Sequence, residues 1–206
     1  MKIIGLTGGI ASGKSTVSQY LYSKGAVILD ADRIAHELTE PGGRLYKAYL
    51  DHFGAGILFP DGRINRAAVG KRVFSQPFEK QWLDSVSHPL ILEEIERRIL
   101  IKKEEQPALI VLDIPLLFET GWDKMAEENC LVYVDEDVQL ERLMLRNGYS
   151  REEAAARIRA QMSLQEKKKW ADRLIDNNGS LPSTLRQVDI LWKEWTNVGL
   201  SQQGSD

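Results

Sequence analysis

The sequence predicts an α/β fold, a parallel sheet doubly wound by helices. Three observations carry this. A strand–helix–strand unit with a glycine-rich first turn fills the first thirty residues. Further short apolar runs at 108–113, 130–134 and 174–175 recur between helical stretches. The 206 residues are 43% hydrophobic and 28% charged, the make-up of a globular chain long enough to bury a core.

The elements follow in order from period and punctuation. Residues 2–7 form an apolar run opening into glycines, a short buried strand. Residues 14–24 read as a helix: Val17, Tyr20, Leu21 and Lys24 keep helical spacing, and Gly25 is a natural stop. Residues 26–29 are again strand-like and complete a βαβ unit with a parallel pair. Asp30-Ala31-Asp32 is expected to end that strand, and alternation would point Asp30 and Asp32 the same way. From 31 to 105 the pattern is mostly helical, punctuated at Pro41-Gly42-Gly43 and Asp61-Gly62. Trp82, Leu83, Val86, Leu90 and Ile91 mark one helix there, which Pro89 is expected to kink or start. We read 31–105 as a helical insertion beside the sheet. The run ALIVLD at 108–113 looks the most buried; 174–175 is the shortest and is closed by the turn pair Asn178-Gly179. Pro182 starts a last helix with Leu185, Val188, Leu191, Trp192 and Trp195 on its apolar face, and 201–206 read as a frayed tail. Doubly wound sheets bind ligands outside the carboxyl ends of their strands, here near 7–15, 30–32, 113–117 and 135.

Composition removes several classes of function. Lys plus Arg is 27 and Asp plus Glu is 30, a net charge of −3, which argues against a generally basic nucleic-acid binder. The one cysteine, Cys130, allows no internal disulfide and no multi-cysteine metal site, and it fits a reducing compartment. His36, His52 and His88 are too scattered for a zinc cluster. No apolar run approaches the roughly 18 residues that span a bilayer. The chain opens in a strand-like run without a leader pattern. The expectation is a soluble cytoplasmic protein with no nucleic-acid or membrane partner; nothing in the pattern specifies an oligomeric state.

Residues 8–15, GGIASGKS, match G-x-x-x-x-G-K-[ST] without a gap and lie between a predicted strand and helix. Glycines let backbone amides turn inward around phosphate oxygens, and the helix N-terminus adds partial positive charge. Lys14 would place a point charge at the β/γ-phosphates, and the Ser15 hydroxyl can ligate Mg²⁺. At the second strand's end a carboxylate could accept a hydroxyl proton or hold Mg²⁺, or could merely cap the helix that follows. Asp32 is the better base candidate because it lies further out. Asp113 ends the ALIVLD strand as a Walker B carboxylate would, to steady Mg²⁺. Arginine is dense at Arg142, Arg146, Arg151, Arg157 and Arg159. Arg142 and Arg146 are one helical turn apart, and Ser150-Arg151-Glu152-Glu153 is a capping box that starts a new helix, on which Arg157 and Gln161 would share a face. Such a hairpin can close over a triphosphate as a lid; the alternative is an exposed pair of helices laced by Arg–Glu pairs. The run Lys167-Lys168-Lys169-Trp170 reads as a solvated helix end with Trp170 packed inward. His88-Pro89 could contact substrate or be structural. Trp122, Trp192 and Trp195 are expected to pack, and Cys130 to be core.

Six blocks, TGGIASGKST at 7–16, DAD at 30–32, NRAAVGKRVF at 65–74, HP at 88–89, PLLFE at 115–119 and ADRLIDNNG at 171–179, together resemble the dephospho-coenzyme A kinase family. The resemblance runs from the first strand to about Gly179. Many families share the phosphate loop; the other blocks, in this order, are far more specific. The resemblance implies a three-layer P-loop kinase core with a five-stranded parallel sheet, a helical substrate-binding insertion and a helical lid. Residues 1–30, 106–136 and 172–200 would form the core, 31–105 the insertion and 137–171 the lid. It further implies transfer of the γ-phosphoryl of ATP, with Mg²⁺, to the 3′-hydroxyl of dephospho-CoA. Asp32 then matches the base, with Lys14 and Arg142 at the phosphates. Gly9, Ile10, Ala11, Ser12, Gly13, Lys14, Ser15 and Thr16 match the nucleotide loop, and Asn177 and Asn178 the turn near the adenine. Asn65, Arg66 and His88, with Asp32, fall where dephospho-CoA is held. Arg146 and Arg157 belong to the lid, and Ser15 and Asp113 to the metal. The alternatives are another small-molecule P-loop kinase and a nucleotide switch. A switch should carry D-x-x-G and N-K-x-D; the matches at 51–54 and 176–179 are misplaced, and N-K-x-D is absent.

Overall fold

The computed structural model describes residues 1–196, so the tail at 201–206 lies outside the described residues. The chain divides into two compact units, one built from Met1–Leu29 and the segment from Lys102 onward, the other from Asp30–Ile101.

The first unit holds a five-stranded sheet: β1 (Lys2–Gly8), β2 (Val27–Asp30), β3 (Leu109–Asp113), β4 (Glu128–Tyr133) and β5 (Arg173–Asp176), in the order β2-β3-β1-β4-β5. β1 pairs in parallel with both β3 and β4, Ile4 standing opposite Val111 and Glu128. β1 and β3, in the interior of the sheet, read as nearly continuous buried runs because both faces are covered there, whereas the edge strand β5 buries only Ile175. Ile4, Leu6, Leu109, Val111, Cys130, Val132 and Ile175 join helices α1 (Lys14–Ser23) and α9 (Leu181–Thr196) in one core, capped by the buried Trp195. On the other face Leu131, Tyr133 and Val134 pack with Leu164 of α8 (Leu164–Lys167). A smaller cluster, Leu140, Leu143, Ala154 and Ile158, joins α6 (Glu136–Asn147) to α7 (Arg151–Arg159). The predicted capping box at Ser150 and Glu153 is formed in both directions.

The second unit is helical: α2 (Ala31–Thr39), α3 (Arg44–Phe53), α4 (Arg66–Ser75) and most of α5 (Pro77–Glu104), with a 3₁₀ turn at Ala55–Ile57. Its interior includes Ile34, Leu38, Leu45, Tyr49, Phe53, Ile57 and Ile95. His52 stacks on Trp82 with ring centroids 3.5 Å apart and also meets Glu79 at 2.6 Å.

Four expectations need correction. β2 ends at Asp30, whose carboxylate accepts the Arg33 N–H at 3.0 Å and caps α2. Asp32 therefore sits in the first turn of a helix, and strand alternation does not set its direction. Pro89 does not start a helix, because α5 runs through it. Proline removes only one ladder bond, and Ser87, Ile91, Ile95 and Ile99, four apart, bury one continuous stripe that outweighs it. α7 ends at Arg159, so Gln161 lies beyond the helix it was expected to share with Arg157. At 167–170 two of the four residues depart from expectation: Lys168 and Lys169 are exposed, but Lys167 is fully buried and Trp170 is 64% exposed.

Candidate active site

β1 delivers the chain into the glycine loop, which closes on α1. Gly13, the residue before α1, has φ +90°, and a Cβ there would run into the Asn177 side-chain amide. Only glycine meets both demands. Ala11 also has a positive φ, 59°. At an alanine this costs about 1 kcal/mol. Lys14 opens α1, and its ammonium pairs with the Asp113 carboxylate at the end of β3. The two side chains keep only 16% and 5% of their exposure, so water screens the pair little. Ser15 and Thr16 follow in the first turn of α1.

Asn177, just after β5, forms the floor of the loop. Its side-chain amide donates to the Ser12 carbonyl at 2.8 Å, and its side-chain oxygen accepts the Thr184 hydroxyl at 2.7 Å. Its backbone N–H donates to the Tyr133 carbonyl. Arg142, on α6, donates to the Asn177 carbonyl at 2.9 Å. Asn178 caps the neighbouring turn, its side-chain oxygen accepting the Asp135 N–H. The Ser12 hydroxyl is buried without a protein partner.

A second group lies behind β3. Lys167 bonds Glu119 at 2.9 Å and donates to the Pro115 carbonyl, which the Thr7 hydroxyl also reaches. Burial pushes the Lys167 ammonium below its ordinary pKa, opposed by Glu119. Of the predicted lid arginines, Arg157 lies over the Tyr149 ring at 4.4 Å and Arg146 donates to Asn147.

The structure thus gathers Gly9 through Thr16, Asp113, Arg142, Asn177 and Asn178 in the first unit. Asp32, Asn65, Arg66 and His88 belong to the second. There the Asn65 oxygen accepts the Ala68 N–H as the cap of α4, Arg66 is the first residue of that helix, and His88 stands 3.8 Å from Asp84. Sequence reasoning missed Gln139 and Thr184 and read Lys167 as solvated. All three are polar side chains buried at helical positions; the partners of Gln139 and Lys167 come from distant segments, while Thr184 bonds the nearby Asn177.

The dephospho-CoA kinase family model matches residues 2–183. A dephospho-CoA kinase from Carboxydothermus hydrogenoformans is 50% identical over 201 residues, covering 95% of this chain and 98% of that one. One from Symbiobacterium thermophilum is 48% identical over 193 residues, covering 94% and 81%. Among solved structures, dephospho-CoA kinase from Campylobacter jejuni superposes with a TM-score of 0.73 at 28% identity, covering 96% and 98%. Phosphate loop, parallel core and whole-length similarity agree: the chain belongs to the dephospho-CoA kinase family.

Proposed function

We propose that this kinase moves the γ-phosphoryl group of ATP onto the ribose 3′-hydroxyl of dephospho-CoA, the last step in making CoA. The observation that carries the reading is the built phosphate cradle: left-handed Gly13, the N-terminus of α1 behind it, and Lys14 fixed by Asp113. The buried Ser12 hydroxyl is a further donor that a phosphate oxygen would satisfy. Residues 1–30, 106–136 and 172–200, of which 197–200 lie outside the described residues, serve as the nucleotide core, 31–105 as the acceptor-binding insertion and 137–171 as the lid.

In this reading the Lys14 and Ser15 amides, which open α1 ahead of any helical carbonyl they could bond, hold the phosphate oxygens. Lys14 turns its ammonium from Asp113 to the β/γ-phosphates. Ser15 and Asp113 would hold Mg²⁺, which neutralises charge on the phosphates. A hydroxyl and a carboxylate suit that ion, which takes one or two protein oxygens and completes its shell with phosphate and water. Among the described residues no group of three or more His, Cys, Asp or Glu gathers as a dedicated metal cage. Asn178 lies in the turn assigned to the adenine. Asp32 orients the 3′-hydroxyl and takes its proton as the new O–P bond forms and ADP leaves. Asn65, Arg66 and His88 hold the acceptor, while Arg142, Arg146 and Arg157 offset the phosphoryl charge and exclude water. The reading sets the reaction in the cytoplasm; Cys130 is buried and unpaired, as a reducing compartment allows.

The test is direct. Incubate the protein with ATP, Mg²⁺ and dephospho-CoA and follow the mass gain of one phosphoryl group, with adenosine and AMP as competing acceptors. CoA is the expected product, and phosphorylation of AMP or adenosine in preference overturns the assignment. Asp32→Ala should still bind ATP but lose turnover by roughly a hundredfold or more; unchanged turnover removes Asp32 from its role.

A further inference from the structure

The apex of the phosphate loop is gripped from outside by two glutamines. Gln139, on α6, donates its side-chain amide to the Ile10 carbonyl at 2.7 Å. Gln161, in the turn after α7, accepts the Ile10 N–H at 2.9 Å. Both backbone polar groups of one residue are thus held by side chains more than a hundred positions away. Gln139 is 4% exposed. A Cβ on Gly9 would come 2.6 Å from its amide nitrogen, so the loop and this side chain are in close contact.

What the grip holds is the strained part of the loop. The Ser12 N–H bonds the Gly9 carbonyl at 3.1 Å and closes a four-residue turn whose third residue is Ala11. Ala11 carries the positive φ of 59°, at a turn position that ordinarily selects glycine. A side-chain-bearing residue stays in that region only where its surroundings over-determine it. Here Ile10 and Ala11 also rest on the Leu140, Leu143, Ala154 and Ile158 cluster.

We propose that Gln139 and Gln161 are positioning residues for the nucleotide. By holding Ile10 at both backbone groups they keep the turn at Ala11 in the shape that receives phosphates. The proposal rests on the reading that this loop cradles the phosphates of ATP. The glutamines act through the loop and touch no reacting atom, so their loss falls on ATP and not on the acceptor.

The test uses Gln139→Met and Gln161→Met in the full chain, which keep length and bulk but lose the hydrogen bonds. Each should raise the KM for ATP, and the Kd of a non-hydrolysable ATP analogue, roughly threefold to tenfold, the worth of one neutral hydrogen bond. The KM for dephospho-CoA should stay within about twofold on the same reasoning. Gln161→Met should also speed hydrogen exchange at the Ile10 amide. Unchanged ATP constants in both variants overturn the proposal, as does a parallel rise in both KM values with a lowered Tm. Should Gln139→Met fail to fold, Gln161→Met, at a half-buried position, carries the test alone. Lys14→Ala runs alongside. Normal ATP kinetics in Lys14→Ala overturn the phosphate-loop reading itself. A damaged Lys14→Ala beside unaffected glutamine variants overturns only the glutamine proposal.

Discussion

Gly13 is the residue where sequence and structure meet most closely. The motif predicts a glycine before the lysine, and the φ of +90° explains it. Gly13→Ala meets two penalties at once, the left-handed backbone and the collision with Asn177. We expect it to lower stability by about 1–2 kcal/mol. We also expect a fall in kcat/KM for ATP of more than about tenfold, since the floor must shift. Urea titration and steady-state kinetics read the two effects, and wild-type values in both would contradict the account. Asn177 itself was legible only as part of a turn. Its bond to Ser12 spans 165 positions, and no local pattern encodes that distance. The run at 167–170 misled for a related reason. Lysine is rarely buried without a partner, and the partner, Glu119, sits in another motif.

At the scale of elements the strands were legible to within a residue or two, because interior strands covered on both faces need nearly continuous apolar runs; β5, mostly exposed, was legible only through its short apolar pair and the turn that closes it. α5 was harder: proline is a local signal, whereas the stripe from Ser87 to Ile99 that carries the helix through it is settled by packing. The tie between α8 and the segment after β3 yields a prediction with a defined asymmetry. Glu119→Ala strands the buried Lys167 ammonium and should cost about 3 kcal/mol. Lys167→Met should cost less. It removes the charge that is expensive to bury, and the Pro115 carbonyl keeps its bond from Thr7. Urea midpoints compare the two, and equal losses would show that the buried charge is not what sets the cost.

Across the whole molecule a net charge of −3 says little about where charge acts. The cations proposed to face the phosphates are few and local, and a separate network ties the helical unit together. Arg98 bridges Glu94 and Glu37 at 2.7 and 2.6 Å, and Arg97 grips Glu94 at 2.8 Å. The Arg97 guanidinium, with Arg98, holds the Glu94 carboxyl down to about 2 against burial, and Arg98 likewise lowers Glu37. A carboxylate lowered in the folded state stabilises it above its unfolded value, near 4.5, and loses that contribution as pH falls through about 2. Glu94→Gln should therefore lower the Tm by roughly 3–6 °C at neutral pH. The gap to wild type should close between pH 4.5 and about 2; a gap independent of pH would exclude the network as its source. The floor under the phosphate loop has a consequence for synthesis on the ribosome. The loop emerges well before Asn177 and Thr184, since the Ser12–Asn177 bond alone spans 165 positions. A nascent chain halted before β5 would own the whole loop sequence and still lack its support, so the loop gains its floor only after β5 has been made.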